Sequence, residues 1–100
     1  MDFRVVWSPQ AIEDIESIAN FIERDSPFYA KAVVTKIIQQ ARTLTSLAQR
    51  GRVVPELEDE TFRELFIYSY RLIDRVQEET VLIVAVVHGK RQFDPFVDRI

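Results

Sequence analysis

The sequence predicts an α+β domain of the order β-α-α-β-β-β: an N-terminal strand, then an α-helical hairpin packed on a mainly antiparallel three- to four-stranded sheet. Three observations predict it. Two Ser-Pro pairs each precede a stripe of apolar residues at helical spacing, and only a short connection separates the stripes. From residue 62 onward the chemistry turns β-like, with branched and aromatic residues in three runs. Two helices with one apolar stripe each need a sheet face to cover.

The elements follow in order. Phe3, Val5 and Trp7 alternate with Arg4 and Val6 as a first strand. Ser8 caps the next helix, and Pro9 suits its first turn because the missing N–H has no partner there. The apolar set Ile12, Ile15, Ile18 or Ala19, and Ile22 predicts the buried stripe, with Glu13, Asp14, Glu16 and Glu23 around it. The helix ends near Arg24-Asp25. Ser26-Pro27 repeats the start signal for a stripe running through Ala30, Val33 or Val34, Ile37, Ala41, Leu44 and Leu47 or Ala48. Arg50-Gly51-Arg52 breaks the pattern, and Pro55 to Glu60 reads as a loop. Phe62–Tyr68, Tyr70–Val76 and Thr80–His88 are the predicted later strands, turned at Gln77-Glu78-Glu79. The third is apolar on both faces, which places it centrally in the sheet. Pro95 stops any strand in the tail.

One hundred residues make one domain, 1–100. The chain has no cysteine and a single histidine, which excludes disulfides and a zinc site of the usual Cys/His kind. With only Gly51 and Gly89 there is no glycine-rich phosphate loop, and no serine stands in a nucleophile motif. These absences argue against cofactor-dependent catalysis. The start, Met1 to Trp7, is no signal peptide, and Val81–Val87 is too short to span a bilayer. A soluble, cytoplasmic chain is expected. Its net charge of −3 gives no overall field for nucleic acid, so sequence-specific DNA binding by this chain alone is not expected. Residues 63–100 balance six bases against six acids, whereas residues 1–62 are acidic. An anion-facing surface therefore belongs to the C-terminal third.

The candidate set from the sheet half is Arg63, Arg71, Arg75, His88, Lys90 and Arg91. Arg71 and Arg75 share a strand face, and Arg63 on the preceding strand is placed to come alongside. Such a set can bind phosphates, pair with a carboxylate-rich protein, or steady the charge of a phosphoryl transition state. Alternatively Arg71 and Arg75 pair with Glu64, Asp74, Glu78 or Glu79 on a wet sheet face. His88 is either a structural residue at a strand end or a general base. Glu56, Glu58, Asp59 and Glu60 read as a solvated acidic loop, with a metal or partner contact as the alternative. Exposed members of Phe28, Tyr29, Tyr68, Phe93 and Phe96 would mark a partner groove. Asp74 interrupts the apolar row Tyr70, Leu72, Val76. A buried carboxylate there needs a partner or a raised pKa.

Several runs carry a family likeness. Trp7-Ser8-Pro9-Gln10-Ala11 with Asp14-Ile15 and Ile18-Ala19 resembles the start of RelE/ParE toxins, and so does Gly51-Arg52-Val53-Val54-Pro55-Glu56-Leu57. More specific are Arg63-Glu64-Leu65, Tyr70-Arg71-Leu72-Ile73 with Arg75-Val76, and Val86-Val87-His88-Gly89-Lys90-Arg91. Together they cover about residues 3–95. The resemblance implies a growth-arresting toxin of a type II toxin–antitoxin (plasmid stabilisation) system, held inactive by a cognate antitoxin from the same operon. Phe28, Tyr29, Tyr68, Asp74, Phe93 and Phe96 would receive that antitoxin. The RelE-like branch consists of ribosome-dependent endoribonucleases, for which Arg63, Arg71, His88, Lys90 and Arg91 would be the catalytic candidates. The ParE-like branch acts on DNA gyrase, for which Arg63, Arg71, Arg75, His88, Lys90 and Arg91 would bind the target. This sequence departs from the nuclease pattern: Arg50 and Arg52 stand without a lysine cluster, and no tyrosine follows Lys90-Arg91. The ParE branch is therefore preferred, and a third alternative is an attenuated toxin, weakened at Asp74, that only binds its antitoxin.

Overall fold

Ser8 sets the first corner of the chain. In the computed structural model, which describes residues 2–89, its hydroxyl accepts the Ala11 N–H (3.1 Å) and donates to the Val84 carbonyl (3.2 Å). One side chain thus caps helix α1 (Pro9–Glu23) and ties it to the sheet. Ser26 does the same capping work for α2 (Pro27–Arg42), accepting from the Tyr29 N–H at 3.1 Å. The buried stripe of α1 is Ala11, Ile15, Ile18 and Ile22, spaced four, three, four. Ile12, expected in that stripe, is 47% exposed, because the stripe starts one residue earlier. In α2 the stripe is Ala30, Val33, Ile37 and Ala41.

The second helix ends sooner than its apolar spacing suggests. At Thr43 the chain tightens into a 3-10 turn, Thr43–Thr45. The Thr43 hydroxyl donates to the Gln40 carbonyl at 2.6 Å and accepts from Arg50 at 2.7 Å, satisfying groups at the helix end. Leu44 and Ala48 remain buried across the break, so the burial pattern outlasts the helix.

The sheet is mixed and five-stranded, in the order β1-β5-β4-β3-β2. Strand β1 (Arg4–Trp7) runs parallel to β5 (Thr80–His88). The other pairs are antiparallel: β5 with β4 (Tyr70–Val76), β4 with β3 (Phe62–Ile67), and β3 with the two-residue β2 (Arg52–Val53). The fold matches the predicted order, and β2 is the strand the sequence did not announce. β5 lies between β1 and β4, as its two-sided apolar run requires.

Each sheet face carries its own core. On the helix side, Leu44, Ile37, Leu72, Val81, Ile83 and Val86 meet the hairpin. Fully burying an aliphatic side chain of this kind stabilises the fold by about 1.5–3 kcal/mol. The far face is covered by the chain's own loop: Val54 and Leu57 lie over Phe62, Ile73, Ala85 and Val87. The β4–β5 register shifts between Ile73 and Asp74, leaving Val84 as an extra residue on β5.

Candidate functional site

The sheet geometry sorts the arginines before any partner is considered. Partners in an antiparallel register share a face. Arg63 faces Asp74, and Leu65 faces Leu72, so Arg63 belongs to the helix side. Arg71 and Arg75 share the opposite face with Ile73, as expected. Arg63 therefore does not come alongside them. Its guanidinium instead donates to the backbone carbonyls of Glu60 (3.2 Å) and Gly51 (3.3 Å).

Arg71 is only 5% exposed. Its Nε donates to Glu64 at 2.8 Å, and its two terminal nitrogens grip both oxygens of Glu56 at 2.8 and 2.9 Å. The second of those nitrogens also pairs with Glu64. Glu56 above all, and Glu64 with it, hold the guanidinium in its charged form and push its pKa up. The same contact holds the Glu56 carboxyl below the usual range. Glu64, 1% exposed, also takes the Arg52 Nε at 2.6 Å. The acidic loop is thus not simply solvated: Glu56 reaches back and closes an ion-pair network over the far face. Arg75 lies over the Phe62 ring at 5.0 Å, and Arg52 over the exposed Phe66 ring at 5.1 Å.

His88 sits on the helix side at the other end of β4 from Arg63. It pairs with Tyr70 in register and meets that ring edge-on, with centroids 5.6 Å apart. Four strand steps separate Tyr70 from Asp74, a span of roughly 13 Å. Arg63, Arg71 and His88 therefore do not converge on one point. His88 lines a cleft of about 360 Å³ with Asp14, Ile18, Phe21, Tyr70 and Val86. Asp14 holds the floor of this cleft by accepting the Val86 N–H at 3.0 Å, beyond the point where β1 ends. Burial raises the Tyr70 hydroxyl pKa, with Tyr29 adding to it. Phe21, 67% exposed and outside the α1 stripe, is a surface aromatic that the sequence reading missed. Its signal was an aromatic one position out of register with the buried row.

The expected aromatics Phe28, Tyr29 and Tyr68 are 85%, 50% and 59% exposed. Tyr68 occupies the two-residue turn between β3 and β4 with φ of 54°, a left-handed conformation uncommon for such a residue. Asp74 is a correction. Expected to face a partner, it is 0% exposed, and neither carboxylate oxygen has a hydrogen bond. It offers no surface to a docked chain. Burial pushes its pKa up to about 7, with Arg63 pulling weakly the other way. Lys90, Arg91, Phe93 and Phe96 lie outside the described residues.

Comparisons with known proteins bear on this arrangement. A family model for the ParE toxin of the type II toxin-antitoxin system, parDE, matches residues 5–93. Toxin RelE2 of Caulobacter vibrioides is 30% identical over 89 residues, which cover 88% of this chain and 97% of that protein. Among solved structures, the chromosomal ParDE system of P. aeruginosa aligns with a TM-score of 0.74 at 21% identity, covering 88% of this chain and 97% of that one. A free RelE mutant from E. coli aligns at 0.71 with 14% identity over 100% and 99% of the two chains. At such identities the structures speak for the fold, and the match of family and sequence carries the rest: this chain belongs to the ParE toxin family of type II toxin–antitoxin systems.

Proposed function

We propose that the chain arrests growth as a ParE-like inhibitor acting on DNA gyrase in the cytoplasm, and that a cognate antitoxin neutralises it by covering exposed aromatics. One observation favours this reading over nuclease chemistry. Phosphoryl transfer needs cations preorganised around one developing charge. Here Arg71 is neutralised by Glu56 and Glu64, while Arg63 and His88 lie at opposite ends of the other sheet face. A surface inhibitor makes no such demand. In this reading His88 contacts the target together with Lys90 and Arg91, while Arg75 and Arg71 lie on the opposite sheet face and Arg63 at the far end of the helix face. Phe28, Tyr29 and Tyr68 receive the antitoxin, a polypeptide that orders as it binds, with Phe93 and Phe96 as further candidates. No helix among the described residues is long and apolar enough to cross a membrane.

The alternative is a ribosome-dependent nuclease. It is favoured by one feature, an accessible His88 at the strand end that leads into Lys90-Arg91. Two reactions separate the readings. Gyrase supercoiling stops when the purified chain is added if the proposal holds. Cleavage of A-site mRNA on programmed ribosomes, with supercoiling intact, refutes it.

A further inference from the structure

The two helices of the hairpin are oppositely charged. Helix α1 carries Glu13, Asp14, Glu16 and Glu23 and no base, whereas α2 carries Lys31, Lys36 and Arg42 and no acid. Such a split could be spent internally, by pairing across the hairpin. The bases of α2 are not spent so: Lys31, Lys36 and Arg42 all stand exposed, whereas the arginines held in salt bridges to Glu64 and Glu56 are Arg52 and Arg71. In a chain of net charge −3, α2 is a local cationic strip.

That strip is also the exposed wall of a groove. Phe28, Lys31, Ala32, Thr35, Lys36 and Gln39 recur at helical spacing on the side of α2 away from its buried stripe. Tyr68 closes the groove from the β3–β4 turn, over a volume of about 480 Å³. The eleven helical steps from Phe28 to Gln39 span roughly 16 Å, about three turns. Phe28 and Tyr68 are the apolar anchors, and Tyr68 is held in its place by an unfavourable backbone conformation. The positive end of the α2 dipole lies beside Phe28 and adds to the same sign of charge.

We propose that the outer groove of α2 takes an acidic amphipathic segment of a partner protein, its apolar side chains on Phe28 and Tyr68 and its carboxylates on Lys31 and Lys36. This rests on the reading that the antitoxin docks on these aromatics, and it specifies the chemistry of the segment. A nucleic acid is the other polyanion to consider. Three cations release few counterions, and the exposed Glu13, Glu16 and Glu23 of the neighbouring α1 repel a long phosphate chain. A short peptide with alternating anchors and carboxylates meets neither obstacle.

The test uses the full chain and the protein encoded by the reading frame adjoining its gene, with affinity measured by calorimetry in low and high salt. Lys31→Glu with Lys36→Glu is compared with Phe28→Ala and the parent. The double reversal should weaken binding about tenfold or more in low salt and invert its salt dependence, since like charges then face each other and added salt screens their repulsion. Phe28→Ala should weaken it at both salt concentrations. Unchanged melting temperatures show that the variants fold, and both lysines are exposed. If Phe28→Ala weakens binding but the reversal leaves affinity and salt slope intact, the acidic segment is refuted while the docking face stands. If all three chains bind alike, the groove is not the site. If the adjoining protein does not bind at all, the proposed function falls with it. A single-stranded RNA of twelve nucleotides that binds the parent and not the reversed variant overturns the peptide in favour of nucleic acid.

Discussion

Asp74 sits in the helix-side core with both oxygens unsatisfied, and Asp74→Asn tests what that does to the fold. The carboxyl has a pKa of about 7 in the folded chain, against an ordinary value of 3.8. The folded state therefore keeps a proton that the unfolded chain has already released, across this interval. Its stabilising effect is fully present below pH 3.8 and is lost as pH rises through 7. Each pH unit of the interval is worth about 1.4 kcal/mol, so the ceiling on the loss is about 4 kcal/mol. Arg63, the cross-strand partner, favours the charged form through its field alone, and about 2–4 kcal/mol is the expected range. Asparagine keeps the shape and cannot ionise. The variant should match the parent near pH 4 and exceed it by that amount at pH 8, a rise of roughly 10–20 °C in melting temperature for a domain of this size. Urea titrations followed by circular dichroism at one-unit steps from pH 4 to 8 measure both curves. Parallel curves, with the same slope in parent and variant, would refute the assignment of a buried charge to Asp74.

The ion-pair network, the β3–β4 turn and Gly51 each carry a further expected outcome. Glu64→Gln strips Arg71 and Arg52 of their shared buried partner and should cost about 3–5 kcal/mol in chemical denaturation, whereas Glu56→Gln, at a carboxylate 39% exposed, should cost about 1 kcal/mol or less. Tyr68→Gly should raise thermal stability by up to about 1 kcal/mol by releasing the left-handed strain, and at the same time lower antitoxin affinity. Gly51→Ala would set a methyl 2.9 Å from the Glu64 carbonyl oxygen; the backbone must move, and a loss of about 1–3 kcal/mol is expected in a thermal melt.

Local chemistry was legible in the sequence wherever it acts through neighbours. Ser8-Pro9 and Ser26-Pro27 announced both helices, and the two-sided apolar run of Val81–Val87 placed β5 inside the sheet, between β1 and β4. What needs distant partners was not legible. Strand β2 has two residues and exists only through its pairing with β3. The fold-over of Val54 and Leu57, which makes the second core and brings Glu56 to Arg71, depends on a loop with no periodicity. Arg63 and Arg71 stand eight positions apart on two strands, and the face each takes depends on the turn at Tyr68-Ser69, which fixes the register. Asp74 was singled out correctly as an acid in an apolar row. Its placement on a partner surface failed because the row lies on the helix side of the sheet, where Asp74 is fully buried.

The proposed activity stands or falls on DNA supercoiling. Purified chain, titrated into a reaction of gyrase, ATP and relaxed plasmid, should halt the appearance of supercoiled product, and prior addition of the antitoxin should restore it. Undiminished supercoiling at concentrations that arrest growth, accompanied by cut A-site codons on ribosomes, would contradict the assignment.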